Sequence, residues 1–145
     1  MNDRFKFRIF EYETKEMIEL DAVGYSSFDP FAEGKSRLIM IPSGLGNTFH
    51  YDKQCLYDND KFSEPMQCTG LKDKNGKLIY EGDIVEVINC RGANAVVEYN
   101  IDLAMFKLKG EKFSPSALQH IRKDYFEVIG NIYTDAHLLE ETKND

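Results

Sequence analysis

Met66-Gln67-Cys68-Thr69-Gly70-Leu71-Lys72-Asp73-Lys74-Asn75-Gly76-Lys77-Leu78-Ile79-Tyr80-Glu81-Gly82-Asp83-Ile84-Val85 is the stretch whose punctuation decides the fold. Asp73-Lys74-Asn75-Gly76 spells a tight turn, because Asn and Gly both accept positive φ, and Lys77-Leu78-Ile79-Tyr80 follows as the extended return. Gly82 then opens a second apolar, β-branched run, Ile84-Val85-Glu86-Val87-Ile88. Turns this close together, separating runs this short, belong to antiparallel β-structure rather than to helices.

Downstream the punctuation stays regular. Arg91-Gly92 turns the backbone into Ala95-Val96-Val97-Glu98-Tyr99, and Ala104-Met105-Phe106-Lys107-Leu108 continues the series. Ser114-Pro115 starts a short helix or turn carrying Ala117, Leu118 and Ile121. Tyr125-Phe126-Glu127-Val128-Ile129 is one more strand, which Gly130-Asn131 ends or bulges. Thr134 caps a final turn of helix, Asp135 complements its positive end, and Leu138 and Leu139 dock it on the barrel. Strands about ten residues apart predict a small curled sheet or SH3-like barrel over residues 66–135.

Upstream, Phe5-Lys6-Phe7-Arg8-Ile9-Phe10 places Phe5, Phe7 and Ile9 on one face of an extended segment and Lys6 and Arg8 on the other, with Phe10 breaking the pattern. The polar Glu11-Tyr12-Glu13-Thr14-Lys15 makes a turn, and Met17-Ile18-Glu19-Leu20 returns as the second strand of a hairpin, a helical turn being the alternative. From residue 24 to 60, Gly24, Pro30, Gly34, Pro42, Gly44 and Gly46 interrupt every candidate element except residues 37–41, so long loops and short strands are expected. Residues 1–65 thus read as a strand pair plus aromatic-rich loops. The fold class is mainly β with short helices, α+β being the fallback, in a single domain over residues 1–145.

Composition narrows the function. The protein has 145 residues, 42% hydrophobic and 30% charged, which is enough to bury a core without disulfide or metal. Eighteen Lys and Arg against 25 Asp and Glu give −7, and both halves are acidic. Affinity for nucleic acid comes largely from counterion release by Lys and Arg, so general nucleic-acid binding is disfavoured. Lys72, Lys74 and Lys77 at the turn, and Lys107, Lys109 and Lys112, remain local basic clusters. Cys55, Cys68 and Cys90 are odd in number and lack a close-spaced pair, against zinc-finger and thioredoxin readings. Met1-Asn2-Asp3-Arg4 leads straight into a strand-like segment, and the longest aliphatic run is Leu38-Ile39-Met40-Ile41, so neither a secretory leader nor a membrane span is expected.

Candidate chemistry is thin. His50, His120 and His137 lack the spacing that puts two imidazoles on one helix face, and a Cys68–His50 pair is weaker than a plainly buried Cys68. Gly44-Leu45-Gly46-Asn47 lacks the remaining residues of a phosphate loop and reads as a turn. Glu81, Asp83 and Glu86 are the carboxylates that invite an acid–base reading, but Glu81 and Asp83 flank Gly82 where Asp bonds to backbone N–H groups, and Glu86 is solvent-facing. Tyr12, Tyr25, Phe28, Phe31, Phe49, Tyr51, Tyr57 and Phe62 fill the core between short elements; the competing reading is a protein interface. No catalytic residue, cofactor or metal is assigned.

The segment 66–85 quoted above, together with Phe5-Lys6-Phe7-Arg8-Ile9-Phe10 and Phe126-Glu127-Val128-Ile129-Gly130-Asn131-Ile132-Tyr133, resembles the YopX protein family, with Cys68 standing where an aromatic residue is common. The resemblance implies a phage or prophage origin, the bacterial cytoplasm and self-assembly, and it implies no particular reaction. Its motif residues have structural readings: Gly70 and Gly76 permit turns, Tyr80 packs, Gly82 and Asp83 shape a strand start, and Gly130-Asn131 bends the last strand. The expected function is a non-enzymatic, homo-oligomeric accessory protein that binds a host or phage protein; the alternative is a single-stranded nucleic-acid-binding barrel carried by Lys72, Lys74 and Lys77.

Overall fold

A computed structural model describes residues 3–26, 37–42, 55–56, 60–88, 93–110 and 122–140. These pack as two compact units, Phe5–Gln67 and a second made of Met1–Arg4 with Cys68–Asp145. The protein is mainly β: each strand pairing among the described residues is antiparallel.

In the first unit, β1 (Phe7–Glu11) turns through a polar tip into β2 (Glu16–Ser26), with Ile9 opposite Ile18 and Glu11 opposite Glu16. β3 (Arg37–Pro42) pairs with the far half of β2, and β4 (Cys55–Leu56) pairs with β3. Ile9 and Leu20 are the buried centre, with Phe7, Ile18, Val23 and Phe62 packed on them. The expected two-faced pattern of the first strand is corrected here. Phe5 lies before β1 and is 62% exposed, while Arg8 and Phe10 are buried along with Ile9. Phe10 is held from its own side: its N–H donates to the Ser63 hydroxyl at 2.9 Å, Ser63 N–H donates to the Phe10 carbonyl at 2.9 Å, and the Tyr12 ring meets the Phe10 ring edge-on at 6.0 Å. Covering both faces of a strand removes the alternation on which a period-2 reading depends.

The backbone leaves that unit along β5 (Met66–Lys72), and β6 (Leu78–Tyr80) returns on it. Gly76 N–H donates to the Asp73 carbonyl at 3.0 Å, closing the expected turn with Gly76 at φ 82°. Cys68 pairs with Tyr80 and Lys72 with Leu78, so β5 bulges between them; Gly70, at φ 80°, occupies that bulge. The Thr69 hydroxyl fixes it, donating to the Ile79 carbonyl at 2.8 Å and accepting Leu71 N–H at 3.1 Å.

β7 (Asp83–Val87), β8 (Ala93–Asn100), β9 (Met105–Lys109) and β10 (Phe126–Asn131) form a four-stranded curled sheet in the order β10-β7-β8-β9. In β8, Ala93, Ala95 and Val97 are buried while Asn94, Val96 and Glu98 are half-buried, the period of a strand with one core face. With Ile79, Val85, Val87, Leu108 and Phe126 the two residues Ala95 and Val97 make the core, and Phe106 and Val128 pack against it. β7 departs from alternation: Ile84 and Val85 are both fully buried, and Glu86, expected in solvent, is half-buried between Asn94 and Glu127 of the flanking strands. The last element is α1 (His137–Glu140), anchored to β8 by the Asn94 amide, which donates to the Leu138 carbonyl at 2.8 Å.

The turn at Arg91-Gly92, the Ser114-Pro115 segment, Gly44-Leu45-Gly46-Asn47, His50, His120, Cys90, Lys112 and the aromatic residues Phe28, Phe31, Phe49, Tyr51 and Tyr57 lie outside the described residues.

Candidate functional site

The central motif builds a brace, and its parts can be followed residue by residue. Asp73 is 3% exposed. Its Oδ1 accepts the N–H groups of Asn75 and Lys77, each at 2.9 Å, and its Oδ2 reaches across to accept Val128 N–H at 3.0 Å. Lys74 N–H donates to the Phe126 carbonyl at 3.0 Å, and the Lys74 ammonium pairs with the Glu127 carboxylate, to which the Asn75 amide also donates at 3.3 Å. One short turn is thereby clasped to β10. Burial alone pushes the Asp73 carboxyl up, but the N–H donors of Val128, Lys77 and Asn75 and the Lys77 charge outweigh it and hold its pKa below the ordinary value. Glu127 is likewise held low, first by the Lys74 hydrogen bond.

Asp83 is 1% exposed, and its Oδ2 accepts Tyr80 N–H at 2.8 Å. Gly82, at φ 78°, donates its N–H to the Val97 carbonyl and accepts Ile132 N–H, both at 2.9 Å. The Gly82-Asp83 pair therefore ties the β6–β7 turn to β8 and to the end of β10. Tyr80, beside it, is 4% exposed.

Gly130 and Asn131 make the third part. The ladder between β10 and β7 slips between Val128 and Gly130, the expected bulge. Asn131 Oδ1 accepts the N–H groups of Tyr133 (2.9 Å) and Thr134 (3.1 Å). Asp135 Oδ2 accepts Asn131 N–H at 3.1 Å and the Thr134 hydroxyl at 2.7 Å, and these bonds, the Thr134 hydroxyl first, hold its pKa low. The expected Thr134 cap is corrected: its hydroxyl is engaged by the Asp135 carboxylate. Asp135 stands just before α1, its carbonyl accepting Leu138 N–H at 2.9 Å while its carboxylate closes the preceding turn.

A general acid or base must exchange a proton with a substrate, whereas Asp73, Asp83 and Asp135 each hold backbone N–H groups. Glu81 is half-buried beside Gly82. Cys68 is fully buried, its sulfur accepting Gly70 N–H at 3.5 Å, and His137 opens α1. Among the described residues no three His, Cys, Asp or Glu side chains gather as metal ligands, and no helix is long and apolar enough to cross a membrane. Of the turn lysines, Lys74 is paired with Glu127, and Lys77 lies in the fields of Asp73 and Asp135.

One surface feature stands outside the motifs legible in the sequence. At the tip of the β8–β9 hairpin, Tyr99 is 44%, Ile101 84% and Leu103 61% exposed. The Tyr99 and Phe106 rings meet edge-on at 5.2 Å, and Leu103 N–H donates to Asn100 Oδ1 at 2.9 Å, so the tip is a formed turn. The signal for it is Ile101 and Leu103 within a turn, where polar residues normally sit.

The profile of the family described as YopX protein matches residues 6–140. No curated protein matches this sequence. Among solved structures it is similar to protein EF1440 from Enterococcus faecalis, at 24% identity and a TM-score of 0.56 over 92% of this chain and 96% of that one. It is similar also to protein yopX from Bacillus subtilis, at 22% identity and a TM-score of 0.52 over 96% of this protein and 97% of that one. At such identities the likeness is one of fold, and it extends over nearly the whole of each molecule. The profile match spans the β1 strand, the braced turn and the Gly130-Asn131 bulge together, and the chain belongs to the YopX protein family.

Proposed function

We propose that this protein is a non-enzymatic phage or prophage accessory protein of the bacterial cytoplasm that assembles with copies of itself and binds a host or phage protein. The observation that carries the reading is the apolar tip of the β8–β9 hairpin. Exposed apolar side chains gathered at one place favour association, and Tyr99, Ile101 and Leu103 all stand exposed at the end of one hairpin whose turn is formed. Charge supports a second copy as the first occupant. At a net charge of −7 copies repel in general, but within residues 98–109 Glu98 and Asp102 balance Lys107 and Lys109. Two tips can meet there without that repulsion. The backbone-bound carboxylates of the motif support the non-enzymatic part. The single-stranded nucleic-acid alternative draws no support from Lys74 or Lys77, whose charges already face carboxylates.

Sedimentation equilibrium over a range of concentrations tests this. The unaltered protein is expected at a whole multiple, two or more, of the 16.7 kDa of one copy. The double variant Ile101→Ser/Leu103→Ser is expected to return to the mass of one copy with an unchanged circular dichroism spectrum. An unaltered protein that stays at 16.7 kDa throughout, or a variant that assembles as before, contradicts it.

A further inference from the structure

The same turn that clasps β10 contains the only Asn-Gly dipeptide in the sequence, Asn75-Gly76. Such a pair is chemically labile, because the glycine nitrogen, unshielded by a neighbouring Cβ, can attack the amide carbon of the asparagine. We infer that Asn75 is a deamidation site kept closed by the Asp73 clasp, and that its conversion loosens the clasp irreversibly.

The chemistry balances with water as the co-reactant. Hydroxide removes the Gly76 N–H proton, the nitrogen forms a bond to Asn75 Cγ, and the Cγ–Nδ2 bond breaks to release ammonia. Water then opens the resulting cyclic imide at either carbonyl, leaving aspartate or isoaspartate. In the folded turn each participant is engaged. Gly76 N–H donates to the Asp73 carbonyl at 3.0 Å, Asn75 N–H donates to Asp73 Oδ1 at 2.9 Å, and the Asn75 amide donates to Glu127 Oε1 at 3.3 Å. The nitrogen that must lose its proton is thus a donor inside a closed hydrogen-bonded loop. Attack requires that the turn open first, and the rate follows the population of the open form. Asn75 and Gly76 are both solvent-exposed, so water and hydroxide reach them once the turn opens.

The product changes the electrostatics. Where Asn75 donated to Glu127, the new carboxylate can only accept, and it places a negative charge beside Glu127 and Asp73. The Lys74–Glu127 pair then faces a competitor for the same ammonium. An isoaspartate also lengthens the backbone within the turn, which the bonds from Asn75 and Lys77 to one Asp73 oxygen do not accommodate.

Peptide mapping by mass spectrometry after incubation at mildly alkaline pH tests the inference. Three samples are compared: the folded protein, the same protein in urea, and Glu127→Ala, which leaves the Asp73 bonds in place but removes the acceptor of the Asn75 amide and the partner of the Lys74 ammonium. Asp73→Asn, assayed where it remains folded, is the stronger opening variant. The folded protein is expected to convert at Asn75 at least about tenfold more slowly than in urea, since each 1.4 kcal/mol by which closure is favoured gives a factor of ten. Glu127→Ala is expected to convert measurably faster than the folded, unaltered protein, and Asp73→Asn faster still. Ion exchange of the converted protein is expected to yield a species that unfolds at lower urea concentration. Equal rates folded and in urea, or a Glu127→Ala rate equal to that of the unaltered protein, overturn the gating. A converted species as stable as the original overturns the loosening.

Discussion

Asp73→Asn removes one charge and leaves the shape of the side group nearly intact, so it isolates what the carboxylate does. In the folded protein three backbone N–H groups, from Asn75, Lys77 and Val128, converge on its two oxygens. The amide keeps one acceptor oxygen and presents NH2 to whichever N–H faced the other. Two bonds weaken from charged to neutral, at about 1 kcal/mol each, and one partly buried N–H loses its acceptor at about 1 kcal/mol or more. The sum is about 3 kcal/mol, a fall in Tm of roughly 10 °C for a protein of this length. The sequence has no Trp, so urea unfolding is followed by far-ultraviolet circular dichroism and tyrosine fluorescence. Asp102→Asn on the exposed hairpin tip is the matched control for loss of one charge.

The same substitution has a pH signature. The folded Asp73 carboxyl lies below its ordinary value of 3.8. The unfolded state therefore binds the proton first as pH falls, and the stabilisation is whole above about pH 4 and lost as pH drops through the depressed folded pKa. Unaltered protein is expected to lose stability over that acid window, and Asp73→Asn to lose correspondingly less. An Asp73→Asn midpoint equal to that of Asp102→Asn, with an unchanged acid profile, refutes the clasp.

Gly130→Ala places a Cβ 2.6 Å from Asp135 Cβ and Oδ2, displacing the Asn131 turn at a cost of about 1–3 kcal/mol in thermal denaturation. Gly76→Ala meets nothing within 4 Å, so only the backbone strain at φ +82° remains, about 1–2 kcal/mol, and Gly76→Asn should recover part of it. Ser63→Ala strips the buried Phe10 N–H of its acceptor and should lower stability by about 1–3 kcal/mol; an unchanged urea midpoint contradicts the role given to Ser63. Ile101→Ser/Leu103→Ser should leave the urea midpoint within about 0.5 kcal/mol at concentrations where the unaltered protein is a single copy, and the variant's midpoint should fall below that of the unaltered protein as concentration rises and only the latter assembles.

Local punctuation is readable in the sequence, and distant reach is not. Asp73-Lys74-Asn75-Gly76 declares a turn because positive φ at Gly76 is a property of four adjacent residues. The Gly130-Asn131 bulge is legible for the same reason. The bond from Asp73 to Val128 spans 55 positions, and nothing within either segment announces it. Arg8 and Phe10 defeat the alternation because neighbours cover both sides of β1, and Ser63, which holds Phe10, is 53 positions away. Asp83 is legible as a residue that bonds backbone, but its near-complete burial depends on how β7, β8 and β10 assemble around Gly82. The apolar hairpin tip is written in Ile101 and Leu103, yet strand periodicity passes over turn residues because it asks only which face they share.

The most direct test of the proposed function is hydrogen exchange of the unaltered protein at low and high concentration, read peptide by peptide. Association through the β8–β9 tip predicts that protection rises with concentration over residues 99–106 and stays constant over the Asp73 turn. Protection that rises elsewhere, or nowhere while the mass grows, contradicts the assignment of that tip as the surface where copies meet.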